Sequence, residues 1–342
     1  MKWVQSKYSK SKVRQAGEVL VSNTTDAAKL LEAMEIMSNW RAAHAYPMHA
    51  LLVLLRTMAS RVDKNAPVVQ RLKRMPSIEN KLIQQPKMSL SRMQDIAGCR
   101  VVVRNIIEVW KLTATVEESK TRHTLHKKYD YITNPKTSGY RGIHLVYKYN
   151  GLKTEYQDYF VELQIRSKIQ HAWATAVELI DTFTNQALKA NKGRKEWADF
   201  FRYVSVEFSL LEKSKAGNVA FGIDTKEQVI RLSKKLNVTK LLNAFAVTIQ
   251  HLTKRSDNKT DYFLLELSAY ASQINITQFP PSNLEHATTL YLQKEEQAKM
   301  DGSYNVVLVA ANSVHSLKAA YPNYFAESKD FLKYLNQVTT KY

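Results

Sequence analysis

Between Arg100 and Ile165 the spacing of apolar residues changes from helical to strand-like, and any fold for this chain must place a sheet there. Arg100–Val103 is a β-branched run. Tyr129–Ile132, Gly142–Tyr149 and Asp158–Ile165 read as further strands, the last two joined by a polar loop at Asn150–Tyr156. A helical stretch, Ile106–Glu118, is interposed, and a helix over Lys168–Leu188 follows. Four of the 9 glycines (Gly98, just before it, and Gly139, Gly142 and Gly151 within it) belong to this sheet region, where the backbone must turn sharply or approach a ligand. The first third reads as helices. Thr25-Asp26 caps one through Lys29, Leu30, Leu31, Met34 and Met37, and His49–Val62 forms a second. Pro67 opens a basic helix, VVQRLKRM, that Pro76 ends, and Ser77 caps the next. After a basic turn at Lys192–Lys195 come two helical segments, Trp197–Lys215 and Thr225–Lys254. The polar run Lys254–Asp261 reads as a linker. Beyond it, strands at Phe263–Leu267, Gln273–Thr277 and Asn305–Ala310 alternate with helices at Pro281–Met300 and from Ser313 onward. The expected architecture is α+β: a mixed β-sheet flanked by helices over residues 1–255, and a small α/β unit over 256–342.

Charge separates the same two parts. The 342 residues carry 50 Lys+Arg against 31 Asp+Glu, a net +19. Ser256–Tyr342 holds 7 Lys, no Arg and 9 acidic residues, a net of −2, so the preceding residues carry +21. A local excess of this size favours phosphate-bearing partners, nucleic acid or nucleotides among them. With 44% hydrophobic residues the chain is not a disordered polyelectrolyte. The longest apolar run, Ala50–Leu55, is too short to span a membrane, and MKWVQSKYSK lacks the apolar core of a secretory signal. A single cysteine, Cys99, excludes an intramolecular disulfide and fits a reducing, cytoplasmic setting.

Three constellations carry potential chemistry. Arg71, Lys73 and Arg74 precede Pro76, with Lys81 one turn into the next helix. Four cations beside a helix start, with Ser77 and free N–H groups, suit a polyphosphate, although such a run also fits a solvated basic face. Asp95 precedes Gly98 and the strand at Val101, and Glu162 lies in VELQIR, sharing one strand face with Gln164 while Val161, Leu163 and Ile165 share the other. Two carboxylates on neighbouring strands can grip Mg²⁺ together with substrate phosphates; ordinary surface alternation is the plainer reading. The run Tyr129–His144, YDYITNPKTSGYRGIH, brings Lys136, Tyr140, Arg141 and His144 onto a strand–loop–strand. A tyrosine on such a loop can stack on a base and the cations can hold phosphates, or the run is a decorated hairpin with a core histidine.

The order of these motifs, from RxK…SIxxK through DIAGCRVV and DYIxxPKxxGYRGIH to VELQIR…HxW, resembles the synthetase domain of the RelA/SpoT family over about Arg71–Glu178. The resemblance implies a mixed sheet flanked by helices, related to polymerase-β-type nucleotidyltransferases. It also implies an ATP-dependent pyrophosphotransferase that moves pyrophosphate to a ribose 3′-hydroxyl and releases AMP. Carried over, it makes Arg71, Lys73 and Lys81, aided by Arg74 and Ser77, the ATP-binding set. Asp95 and Glu162 become the Mg²⁺ ligands, with Glu162 also the base. Tyr140 stacks on the acceptor base, with Lys136, Arg141 and His144 around its sugar and phosphates, and Gln164 and Arg166 complete the site. The sequence departs from the family in three ways: no His-Asp pair of the hydrolase domain of the long members, a long stretch between Tyr140 and Glu162, and GYRGIH in place of a serine-containing version.

The flanks KYSKSKVRQAGEVL, RAAHAYPMHALLVLLR and AAYPNYFAES resemble the CapRel type of small alarmone synthetase, fused toxin–antitoxin proteins of phage defence. That resemblance implies transfer to the 3′-terminal adenosine of the tRNA CCA end, which blocks aminoacylation and translation. It further implies a degenerate zinc-finger-like C-terminal regulatory domain that acts as antitoxin and senses a phage capsid protein, and it makes Tyr321 and Tyr324 a cover for the ATP site. With no cysteine in the C-terminal part, a structural zinc is not expected. Lys7, Lys10, Lys12, Arg14, Lys127, Lys128, Lys153, Lys192, Arg194 and Lys195 are phosphate-contact candidates for tRNA. Two alternatives stay open: a (p)ppGpp or (p)ppApp synthetase acting on free nucleotides, and a non-catalytic sensor on a synthetase scaffold.

Overall fold

The computed structural model of the chain describes residues 3–184, 195–214, 224–243, 262–268, 274–301, 304–310 and 324–340. These form two compact units. The first comprises residues 1–131 and 142–168; the second comprises 132–141 and 169–342. The expected boundary at 255/256 and the expected linker at 254–261 lie outside the described residues.

The first unit opens with three helices, α1 (Lys10–Leu20), α2 (Ala27–Ala43) and α3 (Ala45–Ser60). Asp26 caps α2, its carboxylate accepting from the amides of Ala28 and Lys29 at 3.1 Å each. The face that α2 buries is not the one the leucines suggest. Ala33, Ile36, Met37, Trp40 and Ala43 are inside, while Leu31 is 68% exposed and Met34 also faces solvent. Trp40 decides this: it is the largest apolar side chain on the helix, and it packs against Tyr159 with ring centroids 4.8 Å apart.

The segment expected as a basic helix is instead a strand, β1 (Val68–Leu72), antiparallel to β2 (Ala97–Val103). Two adjacent valines favour extended backbone, and pairing with β2 supplies hydrogen bonds that an isolated five-residue helix could not. Pro67 stands before the strand, where its missing N–H costs nothing and its carbonyl accepts from Val102 N at 3.2 Å. Arg71 and Arg74 therefore do not share a helical face. The next helix, α4 (Met75–Gln84), begins earlier than expected, with Arg74 at the N-cap, so Ser77 sits inside its first turn and makes no cap.

After α5 (Ile106–Glu117) come β3 (Thr124–Asp130), β4 (Ile143–Lys148) and β5 (Phe160–Ser167). Strand β3 starts earlier than its sequence signal, because exposed His126, Lys127 and Lys128 hide its periodicity. The sheet order is β1-β2-β5-β4-β3, parallel between β2 and β5 and antiparallel elsewhere. Ala97, Cys99, Val101, Leu145, Leu163 and Ile165 face one side, all buried, and α3 and α5 pack on β2 and β5. Val101, Leu145, Leu163 and Ile165 each contribute roughly 1.5–3 kcal/mol of transfer free energy, Ala97 and Cys99 less. The other face carries the polar residues.

The second unit contains α6 (Lys168–Thr184), α7 (Lys195–Leu211), α8 (Thr225–Lys235) and a helical segment over 238–243. It also contains a three-stranded antiparallel sheet of β6 (Tyr262–Ser268), β7 (Ile274–Phe279) and β8 (Tyr304–Ala310), ordered β7-β6-β8, with helices α9 (Leu284–Asp301) and α10 (Tyr324–Thr340). One aromatic-rich core unites α6, α7, α8 and α10: Trp173, Trp197, Phe200, Phe201, Phe208 and Phe331 are all buried in it. The predicted α+β class, a mixed sheet flanked by helices, is what forms. Among the described residues no helix is long and apolar enough to cross a membrane.

Candidate active site

The polar face of the five-stranded sheet owes its composition to register. Glu162 on β5 lies opposite Gly98 of β2 and Val146 of β4; Gly98 in turn pairs with Arg71 of β1. One step along, Gln164 pairs with Arg100 and His144. Directly paired residues point to the same side, so Arg71, Arg100, His144, Glu162, Gln164 and Arg166 converge on one surface. A Cβ on Gly98 would meet only the carbonyl oxygens of Glu162 and Arg71, at 3.8 and 3.9 Å. Glycine is therefore not required by crowding; its effect is to leave open space between Arg71 and Glu162.

Asp95, two residues before β2, is held by two lysines. Lys73 Nζ lies 2.9 Å from Oδ2 and Lys81 Nζ 2.8 Å from Oδ1. Lys73 is placed by its backbone: its amide donates to Ile96 O at 2.7 Å and its carbonyl accepts from Arg41 Nε at 2.6 Å. Lys81 is presented by α4, which is anchored through buried Ile78 and Leu82. Burial and the nearby Glu162 push the Asp95 carboxyl up, but Lys73 and Lys81 outweigh them and hold it below the usual aspartate value.

Glu162 sits in a line of hydrogen bonds along β5. His144 Nδ1 is 2.8 Å from Oε1, Gln164 Nε2 donates to Oε2 at 2.6 Å, and Arg166 donates to Gln164 Oε1 at 3.2 Å. Burial opposes ionisation of Glu162. The imidazole of His144, the Gln164 amide and Lys81 together overcome it and bring the carboxyl down to about 2. The expected pair of carboxylates thus exists, close enough to affect each other's ionisation, each steadied by its own cationic or hydrogen-bonding partners. All the donors at the pair are oxygens, which suits Mg²⁺, an ion that takes one or two carboxylates plus substrate phosphates. No cluster of three or more His, Cys, Asp or Glu able to hold a metal occurs among the described residues.

The remaining expected residues divide. Arg71 is exposed on β1, Arg74 caps α4, and Ser77 is exposed in its first turn. Lys136 and Tyr140 lie on the 132–141 loop of the second unit, with the Lys136 ammonium 5.2 Å from the Tyr140 ring centre. That loop is fixed by α7: Ser205 Oγ donates to Gly139 O at 2.5 Å, and Gly139 has φ +89°. Arg141 is buried there and donates to Ser214 Oγ at 3.2 Å, beside a cavity of about 10 Å³ lined also by Gln170, Trp173 and Glu212. Such a cavity has room for about one water. Of the phosphate-contact candidates, Lys12 pairs with Glu32, Arg14 with Glu18 and Lys128 with Glu117, and Lys153 lies over the Tyr46 ring at 4.7 Å. The Lys7 amide donates to Asn39, Lys10 opens α1, and Lys195 opens α7. Lys192, Arg194, Tyr321 and the Tyr324 side chain lie outside the described residues.

Sequence reading missed Arg100 and Gln94. Arg100 looked like the first residue of an apolar run; its place two residues after Gly98, and so on the polar face, was the available signal. Gln94, next to Asp95, accepts from the Tyr129 hydroxyl at 3.3 Å, a contact between residues 35 positions apart with no local signal.

Residues 70–180 match the family described as the region found in RelA / SpoT proteins. Two curated relatives come from Bacillus subtilis (strain 168). GTP pyrophosphokinase YjbM is 31% identical over 127 residues, 35% of this chain and 60% of the relative. GTP pyrophosphokinase YwaC is 30% identical over 111 residues, 31% of this chain and 52% of the relative. The chain thus spans between half and two thirds of the length of each. Among solved structures, small alarmone synthetase 1 from Bacillus subtilis bound to its product pppGpp aligns with 51% of this chain and 93% of its own, at 23% identity and TM-score 0.43. Small alarmone synthetase 2 from the same organism covers 52% and 94%, at 23% identity and TM-score 0.44.

Proposed function

With a RelA/SpoT region over residues 70–180 as premise, we propose that this chain is an ATP-dependent pyrophosphotransferase acting on the 3′-hydroxyl of the tRNA CCA end. The observation that carries the transfer reading is the pair of neighbouring, steadied carboxylates: Asp95, in the turn before β2, between Lys73 and Lys81, and Glu162 on β5 against His144. The acceptor 3′-oxygen attacks the β-phosphorus of ATP; the new O–Pβ bond forms as the bond from Pβ to the α-phosphate oxygen breaks, and AMP leaves with that oxygen. Lys73, Lys81 and Arg71 bind the triphosphate and offset its charge. The hydroxyl proton passes to Glu162, whose hydrogen bond to His144 keeps the carboxylate aimed. Gln164 and Arg166 hold the second oxygen in place. A carboxylate as acidic as Glu162 stays ionised at neutral pH, so its strength lies in orientation and charge more than in basicity. Asp95 and Glu162 would hold Mg²⁺, which when bound offsets charge on the transferring phosphates.

The acceptor assignment draws on the flanking resemblance and on a cation excess, +21 before Ser256, beyond what one triphosphate needs. In this reading the chain is an abortive-infection toxin of the cytoplasm. Its C-terminal residues 256–342 restrain it, Tyr321 and Tyr324 cover the ATP site, and a phage capsid protein releases it. The likeness to two GTP pyrophosphokinases favours a second reading, a synthetase that pyrophosphorylates free guanosine nucleotide.

The two part in one assay. The chain is incubated with γ-labelled ATP, tRNA and GTP, with and without capsid protein. Label in the RNA is the expected result. Label confined to guanosine nucleotide overturns the tRNA acceptor, and no transfer under any condition overturns the enzyme reading. Tyr321→Ala/Tyr324→Ala is expected to be toxic without capsid protein; a harmless double variant that still binds ATP removes the autoinhibition model.

A further inference from the structure

Arg41 is a half-buried cation without a counter-charge, and it touches the lysine that holds Asp95. It stands in the last turn of α2 and donates from Nε to the Lys73 carbonyl at 2.6 Å. That is the only hydrogen bond or ion pair of its side chain among the described residues, so the two Nη atoms have no protein acceptor there. Burial pulls the guanidinium below its ordinary value, and no acidic group opposes the pull. Arg14, Arg104 and Arg202, by contrast, each lie beside a carboxylate. The stretch that presents Arg41 is fixed on both sides. Trp40 is buried against Tyr159, while Asn39 accepts from the Lys7 amide at 2.9 Å and donates to the Gln5 carbonyl at 3.2 Å. Arg41 lies outside residues 70–180, the region matched to the family.

A partly desolvated cation that no side chain neutralises is costly, and it is retained where a ligand supplies the opposite charge. The open pair of Nη atoms is a fork that grips two oxygens at once, the geometry of phosphate recognition. We propose that Arg41 is a further phosphate-binding residue of the pyrophosphotransfer site: Nε fixes the backbone of Lys73, and the Nη fork takes oxygens of the ATP triphosphate that Lys73 also contacts. This rests on the pyrophosphotransfer reading and adds to it a residue from α2. Lys73 and Lys81 are both engaged by Asp95, so the triphosphate needs cations beyond them. Arg41 supplies one that is already anchored, with its fork free. The two amino groups of the fork set the direction of the phosphates, where the lysines act as point charges. Because Nε holds the Lys73 carbonyl, a phosphate drawn onto Arg41 also steadies Lys73.

The test is calorimetric titration of the full chain with an ATP analogue bridged by methylene between its α- and β-phosphates, so that the reacting bond cannot break, in the presence of Mg²⁺. It is run on the native chain and on the Tyr321→Ala/Tyr324→Ala form, so that a covered site does not imitate a lost one. Arg41→Ala and Arg41→Gln are expected to weaken binding about tenfold or more. Arg41→Lys, which keeps the charge and loses the fork, should weaken it less than Arg41→Gln, while the melting temperatures without nucleotide stay alike. If Arg41→Ala does not melt cooperatively, the comparison of Arg41→Lys with Arg41→Gln decides. Three results overturn the assignment: no binding of the analogue in either background, binding by Arg41→Gln equal to native, or equal losses in Arg41→Lys and Arg41→Gln that follow a fall in melting temperature, the mark of a residue that only holds the Lys73 backbone. The titration needs neither acceptor nor turnover, so an absence of label transfer beside Arg41-dependent binding overturns the transfer reading alone.

Discussion

Asp95 and Glu162 are both carboxylates in a half-closed polar surface, yet they are stabilised differently. Asp95 depends on two ammonium groups within 3 Å, so Asp95→Asn leaves Lys73 and Lys81 facing each other without their counter-charge. The expected loss is on the order of 1–3 kcal/mol, read by urea denaturation, besides loss of transfer. Glu162 depends on one imidazole and one amide in contact, with the Lys81 charge adding to them. Its carboxyl is lowered from 4.5 to about 2, so the folded state favours the ionised form. That stabilisation is fully present above pH 4.5 and drains away as pH falls toward about 2. Glu162→Gln therefore lowers the melting temperature at pH 7, and the difference from the native chain narrows between pH 4.5 and 3; a constant difference would contradict the assigned shift. In the transfer assay the same variant should lose roughly 10²–10⁴-fold in rate. The residue types were legible from sequence, since Asp95, Glu162, Lys73 and Lys81 stand where the motifs put them. The partner relations were not: Lys73 meets Asp95 from 22 positions away, and His144 meets Glu162 from 18.

At the scale of elements, the strands were legible and the basic segment before Pro76 was not. VVQRL, expected as a helix, becomes a strand because its two valines favour extended backbone and because β2 offers an edge to pair with, a tertiary opportunity that local propensity does not report. The consequence for the site is direct: Arg71 is in register with Gly98 and Glu162, where a helix would have put it beside Arg74. The 132–141 loop makes the same point. It leaves β3 and returns to β4 in sequence, yet it packs on α7 through the Ser205 hydroxyl. A Cβ on Gly139 would sit 3.0 Å from Ser205 Cβ and 3.1 Å from Arg202 Cα, at a backbone angle of +89° that side chains disfavour. Gly139→Ala should cost about 1–3 kcal/mol and loosen the segment carrying Lys136 and Tyr140. Hydrogen exchange at residues 136–141 should speed up while the amides of β5 stay protected.

Across the whole molecule, the C-terminal residues that carry a net −2 include a helix built into a hydrophobic core. The C-terminal helix α10 is not a loose tail within its unit. Phe331 packs against Phe201 and Phe208, with centroids 6.1 and 5.4 Å apart, and Leu335 and Val338 join the same core. Phe331→Ala should cost about 3–5 kcal/mol, measured by thermal or urea unfolding. Withdrawing α10 would open that core to water. Sequence alone determined the class of fold, the apolar face of the sheet, and the identity of the charged residues, because alternation, β-branching and motif order are local properties of the chain. Only the tertiary structure decided which strand lies beside which, that Arg100 and His144 flank Gln164, that two lysines close on Asp95, and that Arg41 meets the Lys73 carbonyl. Those are distances between residues remote in sequence, set by register and packing, and no local pattern encodes them.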